Sequence, residues 1–143
     1  MTIASILRQK GSDVISVPPA RTVAEAAAVL SRHRIGAVLV RDTVGQVLGI
    51  LSERDILHGL AAHGAGVLEM TTAQLMTRVL HALSPASTEA DAMTIMTEHR
   101  VRHLPVLDQG QLVGMISIGD VVKARLTETE RDVDALKAYV SGG

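Results

Sequence analysis

The chain contains the heptapeptide Gly49-Ile-Leu-Ser-Glu-Arg-Asp55 and a second one, Gly114-Met-Ile-Ser-Ile-Gly-Asp120, at an offset of 65 residues (114 − 49). The two share glycine, serine and aspartate at the same positions. In each, an apolar stretch ends at the serine, and the aspartate follows three residues later, as in the first turn of a capped helix. The sequence therefore predicts that a strand runs directly into a capped helix at two places.

The sequence around the heptapeptides is duplicated as well. Residues 22–42 match residues 88–108 at an offset of 66, and after one extra residue in the first copy, residues 45–57 match residues 110–122 at an offset of 65. Twelve of the aligned pairs are identical. Two copies of one unit, each longer than a typical solenoid repeat, indicate an internal duplication and not a repeat array.

Each copy predicts the element order β-α-β-β-α, and the predicted fold class is α/β. In the first copy, a strand at residues 14–17 ends at a Pro-Pro pair, and the capping box Thr22-Val-Ala-Glu25 begins a helix. The near copy Thr88-Glu-Ala-Asp91 follows a strand at residues 79–83. A unit of about 55 residues buries too little surface to be stable alone. We therefore expect the two units to pack together about a pseudo-twofold axis.

The same pattern divides the chain into five segments. The expected boundaries are an N-terminal segment at 1–11, a first unit at 12–64, a linker at 65–72, a second unit at 73–126 and a C-terminal helix at 127–143.

The composition limits the class of protein. Of 143 residues, 47% are hydrophobic and 20% charged, and the mean hydropathy of +0.27 excludes a disordered chain. Because there is no Cys, a disulfide scaffold, a thiol nucleophile and a Cys-based metal site are excluded. The net charge of −1 shows no basic excess for duplex binding. No apolar run suits a bilayer span or a secretory signal, so we expect a cytoplasmic protein with no membrane partner.

The duplicated unit resembles the cystathionine-β-synthase (CBS) domain. Both heptapeptides match the family signature of a glycine, an apolar residue, Ser/Thr and Asp, and Val101-Arg-His-Leu-Pro-Val106 matches the segment before it. The likeness covers about residues 12–125 and identifies the tandem as a stand-alone CBS pair, or Bateman module. It implies a homodimeric, disc-like regulator that senses adenine nucleotides in the clefts between the units. AMP is the expected ligand, ADP, ATP and NAD(H) are alternatives, and no catalytic cofactor or downstream partner is implied.

The chemistry of the heptapeptides agrees with this ligand class. Helix-start amides attract phosphate, and an aspartate accepts two hydrogen bonds from a ribose cis-diol. Gly49 and Gly114 would let a flat ring approach the strand, or they allow tight strand packing. An ordinary helix cap is the alternative interpretation of each Ser-x-x-Asp.

In the family, each cleft takes its Asp motif from one unit and facing residues from the other. The implied first cleft, the expected AMP site, therefore supplies cations for phosphate and combines Ser52, Arg54 and Asp55 with Arg102, His103 and Pro105. The implied second cleft is roomier, lacks those cations, and combines Ser117, Gly119 and Asp120 with Gly36 and Ala37. Candidates for reading the adenine edge through the main chain, with an ordinary strand as the alternative, are Ile15, Ser16, Leu80 and His81.

Three other classes of function have weaker support. A metal site needs ligands on one face, but a predicted helix end separates His99 from His103, and His58 and His63 are five residues apart. No nucleophile elbow, phosphate loop or zinc-binding helix motif indicates an enzyme. A small basic cluster at Arg100–His103 has no aromatic platform for nucleic acid. The main alternative is an adaptor module that dimerises or docks on a partner without a nucleotide.

The scarcity of aromatic residues yields a direct test. With no Trp, no Phe and the single Tyr139, the protein absorbs little light in the near ultraviolet, around 280 nm. An adenine nucleotide that co-purifies would therefore dominate the absorbance spectrum, and it would leave with the supernatant when the protein is precipitated with acid. A purified sample whose spectrum shows only the tyrosine would indicate that no nucleotide is retained.

Overall fold

A computed structural model describes residues 1–78 and 81–142 of the chain. The helices are α1 (Ile3–Lys10), α2 (Val23–His33), α3 (Glu53–His63), α4 (Thr72–Leu75), α5 (Glu89–His99) and α6 (Ile118–Gly142). The strands are β1 (Ser16–Val17), β2 (Ala37–Arg41), β3 (Val47–Ser52), β4 (Thr77–Arg78), β5 (His103–Asp108) and β6 (Gln111–Ser117). This mixed content confirms the predicted α/β class.

The chain divides into two compact units. The first unit comprises Asp13–Leu80, and the second comprises Met1–Ser12 together with His81–Gly143. Each unit has its own aliphatic core, as expected from a chain with almost no aromatic residues. In the first unit this core contains Ala26 and Leu30 of α2 together with the strand residues Val38, Val40 and Leu51.

The first unit is built on a four-stranded sheet in the order β1-β2-β3-β4. β1 runs parallel to β2, whereas β2–β3 and β3–β4 are antiparallel. Residues 37–40 of β2 are buried without interruption, which is typical of a central strand covered on both faces.

The second unit repeats the β2–β3 hairpin as β5–β6. Both hairpins carry a register shift at the equivalent place, between Val40 and Arg41 and between Val106 and Leu107. The helices before them also end alike, because Arg34 and Arg100 both adopt left-handed backbone with φ of 53° and 54°. Such a conformation is uncommon for a residue with a β-carbon. Its recurrence shows that the duplication extends to backbone detail.

Two segments lie in a different unit from the one their sequence position suggests. β4, just before the second copy, pairs with β3 in the first unit. α1 packs its buried residues Ile3, Ile6 and Leu7 into the core of the second unit. The predicted strand at 79–83 is described only from residue 81 onward, where Leu83 forms a parallel bridge with Val106; Val79 and Leu80 lie outside the described residues.

The expected linker is a packed part of the first unit. Val67, in a 3-10 turn at Gly64–Glu69, is fully buried, and so is Thr72. The Thr72 hydroxyl donates to the carbonyl oxygen of Pro18 at 2.8 Å. The expected C-terminal helix is likewise not a separate element, because α6 continues without a break from the second heptapeptide to Gly142.

The two predicted capping boxes differ in the structure. Thr88 and Asp91 exchange side-chain and backbone hydrogen bonds as predicted. At the first copy the Thr22 hydroxyl accepts from the Glu25 amide, but the Glu25 carboxylate accepts from the Thr22 hydroxyl and from Arg21 instead of the Thr22 amide. The prediction of a full box at Thr22 is therefore wrong, because a neighbouring guanidinium competes for the carboxylate.

The signature glycines are closely packed. A β-carbon added to Gly49 would lie 2.7 Å from the backbone oxygen of Thr77, and one added to Gly114 would lie 2.6 Å from Cδ2 of Leu7. These contacts favour tight packing as the role of both glycines.

We expect Gly49→Ala to lower the free energy of unfolding by about 1–3 kcal/mol, because the added methyl overlaps a backbone atom that cannot rotate away. Gly114→Ala is the matched control and should be milder, since the side-chain end of Leu7 can change rotamer. Urea unfolding of both variants measures this difference. Equal stabilities of Gly49→Ala and wild type would contradict the packing role.

Candidate functional site

The first heptapeptide forms a closed cap between β3 and α3. The Ser52 amide and hydroxyl both donate to Oδ2 of Asp55 at 2.9 Å, and the Asp55 amide donates back to the Ser52 hydroxyl at 3.1 Å. The second carboxylate oxygen, Oδ1, accepts from the Thr77 hydroxyl of β4 at 3.1 Å. Asp55 thus carries three donors, none of them a cation, at the positive end of a helix.

The second heptapeptide repeats this cap between β6 and α6. The Ser117 amide and hydroxyl donate to Oδ2 of Asp120 at 2.8 and 3.0 Å, and the Asp120 amide donates to the Ser117 hydroxyl at 3.2 Å. The sequence prediction of two strand-to-helix junctions with Ser-x-x-Asp caps is confirmed.

The two motifs differ in their charge partners. Lys10, the last residue of α1, donates through Nζ to Oδ2 of Asp120 at 2.7 Å and to the Met115 carbonyl at 2.9 Å. Burial of the carboxylate opposes its ionisation, but the hydrogen bonds from Lys10 and Ser117 outweigh that effect, so the pKa of Asp120 lies below its ordinary value. The second motif therefore does have a cation beside its aspartate.

Sequence reasoning missed both Lys10 and Thr77. A signal for Lys10 exists, because Ile3, Leu7 and Lys10 follow helical spacing and place the lysine at the end of the buried face of α1. No local pattern signals Thr77, since its contact with Asp55 depends on a strand pairing across 22 residues.

Within each unit, the structure brings the facing segments next to the motif of the same copy. Ala37 pairs with Ser52 across β2–β3, and the Glu53 amide donates to the Gly36 carbonyl at 2.9 Å. Correspondingly, His103 pairs with Ser117 across β5–β6. The grouping of Ser52, Arg54 and Asp55 with residues of the other unit stays a prediction.

The remaining candidates lie in varied surroundings. Arg54, Arg102 and Gly119 are exposed, and Arg102 and Gly119 line one groove of the second unit. Pro105 is buried in β5, where its carbonyl accepts from the Leu83 amide at 2.9 Å.

Of the adenine-edge candidates, two belong to an ordinary strand ladder. The Ile15 carbonyl accepts from the Leu39 amide at 3.2 Å, and Ser16 pairs with Leu39. The His81 ring stacks on the His99 ring, with centroids 3.7 Å apart. Leu80 lies outside the described residues. Because β1 is an edge strand, this ladder uses only the side that faces β2, and the role of these residues in reading adenine stays a prediction.

Neither a metal centre nor a membrane span emerges from the described part of the chain. Within residues 1–78 and 81–142, no three His, Asp or Glu side chains group in a way that would hold a metal ion. Over the same residues, no helix combines the length and apolarity needed to cross a bilayer.

A hairpin followed by a helix with a Ser-x-x-Asp cap occurs in both units, and this repeat defines the chain as a tandem pair of one small α/β unit. The family model of the CBS domain matches this chain at residues 5–62 and again at 73–127. The protein therefore belongs to the CBS-domain family, as a tandem pair.

Individual relatives agree with this assignment. The CBS domain-containing protein CBSX3, mitochondrial, of Arabidopsis thaliana is 33% identical over 99% of this chain and 73% of its own length. The crystal structure of the CBS-domain protein ATU1752 from Agrobacterium tumefaciens has a TM-score of 0.84 and 45% identity, covering 87% of this chain and 92% of that one.

Two more distant structures of the same fold hold ligands. The CBS domain protein PAE2072 from Pyrobaculum aerophilum, complexed with AMP, has a TM-score of 0.75 and 24% identity, covering 84% of this chain and 89% of that one. The CBS pair of MJ0100, in complex with 5′-methylthioadenosine and S-adenosyl-L-methionine, has a TM-score of 0.77 and 23% identity, covering 91% of this chain and 98% of that one. At these identities the likeness establishes the fold.

The ion pair of the second motif gives a pH prediction. We expect Lys10→Met to raise the pKa of Asp120, because burial then acts on the carboxylate without the compensating ammonium. Arg8→Met, an exposed cation on the same helix, is the control and should leave that pKa unchanged. An NMR titration that follows the side-chain carboxyl carbon of Asp120 measures this pKa in both variants.

The lowered pKa of Asp120 determines how the contribution of the ion pair to the free energy of unfolding depends on pH. The pair stabilises the fold fully above the unfolded aspartate pKa of about 3.9, and the contribution is lost as the pH falls through the lower folded value. A pKa of Asp120 that does not change in Lys10→Met would contradict the assignment of Lys10 as its partner.

Proposed function

We propose that this protein is a non-catalytic regulator that binds an adenine nucleotide, AMP first among them, in the cleft that contains Ser52, Arg54 and Asp55. The other side of that cleft would be formed by Arg102, His103 and Pro105. The observation that carries this proposal is the duplicated Ser-x-x-Asp junction, in which Asp55 keeps an uncompensated charge. Among the residues that the structure describes, no cation pairs with Asp55, whereas Lys10 pairs with Asp120.

The charge difference favours the first motif as the ribose site. Hydrogen bonds to an uncompensated carboxylate contribute about 1.5–3 kcal/mol each. A carboxylate has about four acceptor positions, so Asp55 can receive a ribose diol if the Thr77 hydroxyl gives up its own hydrogen bond. The N-terminus of α3, beside the exposed Arg54, is electrostatically suited to the phosphate.

The ligand class rests on chemistry shared with structures of the same fold. PAE2072 holds AMP, and MJ0100 holds methylthioadenosine and S-adenosylmethionine, so the common part is adenine on a ribose with free 2′ and 3′ hydroxyls. A purine in this protein would pack against aliphatic side chains, because the chain has no Phe or Trp. ADP, ATP and NAD(H) carry the same adenosine and belong in the first binding panel. The second cleft, with Ser117, Gly119, Asp120, Gly36 and Ala37, would take a nucleoside-like ligand or none.

Regulation would follow from differential binding. A nucleotide held by both units stabilises whichever arrangement of units or subunits it binds more tightly, and only by that difference in affinity. We expect the regulator to act as a homodimer. The cytoplasm is the compartment that we expect for it.

An adaptor without a nucleotide is the second candidate. The observation that favours it is that the Ser52 hydroxyl and three acceptor positions of Asp55 already serve the fold. A cap that satisfies its own helix needs no ligand.

We expect Asp55→Ala to weaken AMP binding at least about tenfold, since one lost hydrogen bond to a charged group already accounts for that factor. Asp91→Ala is the matched control, because it removes the same capping chemistry from α5 outside the proposed site. Isothermal titration calorimetry measures both. Unchanged affinity in Asp55→Ala would refute the site, and wild-type protein that binds no member of the nucleotide panel would favour the adaptor.

A further inference from the structure

Beyond Glu128, whose carboxylate pairs with the Met1 ammonium at 3.4 Å, the distal half of α6 buries no residue in the described chain. Of its 25 residues only Val121 and Ala124 are buried, and every residue from Glu128 to Gly142 is exposed. An isolated helix as short as the segment from Glu128 to Gly142 is only marginally stable in water, because most helices in proteins are stabilised by packing an apolar face. The stability of this half therefore requires a covering surface.

The exposed face has the spacing of a coiled-coil seam. Val122, Leu126, Thr129, Val133, Leu136 and Val140 follow each other at steps of 4, 3, 4, 3 and 4 residues. All five apolar members are exposed, from 44% for Val133 to 72% for Val140. These positions are the d and a sites of a heptad repeat, and they lie on the side of the helix opposite Val121 and Ala124. The seam is about 27 Å long.

The charged residues on either side of the seam match those of a second, identical helix that runs parallel to it. In a parallel pair of identical helices, each g residue faces the e residue five positions later on the other helix. Here Arg125 at g would face Glu130, and Asp132 at g would face Lys137. Both pairs carry opposite charge and each occurs twice in a symmetric dimer.

An antiparallel pair of the same helices would bring like charges together. With the seam layers matched, Glu130 would face Glu130 and Asp132 would face Asp132 of the other copy, and Lys123 would face Lys137. Like charges at these positions are unfavourable, so the pattern selects the parallel arrangement.

We propose that α6 pairs in parallel, in register, with α6 of a second copy of this chain through the seam Val122–Val140. A groove of about 640 Å³ continues the seam along the first half of the helix, where Val122, Leu126 and Glu130 form part of its lining. Arg125 also lies 3.5 Å from Glu89 of its own unit, so the pair of Asp132 and Lys137 is the cleaner probe of the interface. This pairing does not depend on nucleotide binding.

The first test exchanges charges between copies. Asp132→Lys and Lys137→Glu should each weaken self-association by roughly three- to tenfold, because two opposite-charge pairs become like-charge pairs. A mixture of the two single variants should associate as strongly as wild type, since both interhelical pairs of the heterodimer are again opposite in charge. Sedimentation velocity over a concentration series measures this. Equal association of all samples would overturn the charge register.

The second test determines the helix direction by disulfide formation, which is clean because the chain has no Cys. Leu126→Cys and Leu136→Cys should each form a disulfide with the same position of the other copy, because a parallel pair in register places identical residues together. Ala138→Cys, which points away from the seam, is the control and should stay reduced. An antiparallel pair would instead join position 126 of one copy to position 136 of the other. Disulfides that form only when the two single variants are mixed would therefore overturn the proposal, as would a monomeric wild-type protein.

Discussion

Three hydrogen bonds between a serine and the aspartate three residues later fix the junction from strand to helix in both units. The cap makes the chain turn at the end of β3 and β6 and satisfies amides that the first helical turn leaves without partners. The apolar residues before each serine then remain in the sheet, and the helix after it covers the core. The architecture of each unit depends on this small group of atoms.

The same cap is used in two electrostatic settings. At Ser117 the aspartate is paired with Lys10, which ties the N-terminal helix to the second unit through side chains 35% and 21% exposed. At Ser52 the donors to the aspartate, among the residues that the structure describes, are neutral, and one of them comes from β4. The ion pair with Lys10 therefore stabilises the second motif. The carboxylate of the first motif, Asp55, is the one that we propose as the acceptor for the ligand.

The local part of the fold could be predicted from the sequence, because it is encoded in short-range chemistry. The hairpins, the Ser-x-x-Asp caps and the helix starts at Thr22 and Thr88 all follow from residues within a few positions of each other. The pairing of β4 with the first sheet and the packing of α1 in the second unit could not be predicted. Both depend on contacts between distant segments, which no local pattern encodes. Helical spacing places Lys10 at the end of the buried face of α1, but its pairing with Asp120 could not be predicted, since the two residues are 110 positions apart.

Asp55 is the residue that we propose as the receptor for the ribose of an adenine nucleotide. The most direct test is a crystal structure of the protein grown with AMP. We expect AMP with both ribose hydroxyls hydrogen-bonded to the Asp55 carboxylate and the Thr77 hydroxyl displaced from it. AMP bound only at Asp120, or crystals in which the Ser52–Asp55 cap and its Thr77 contact are unchanged with no nucleotide near them, would contradict the proposal.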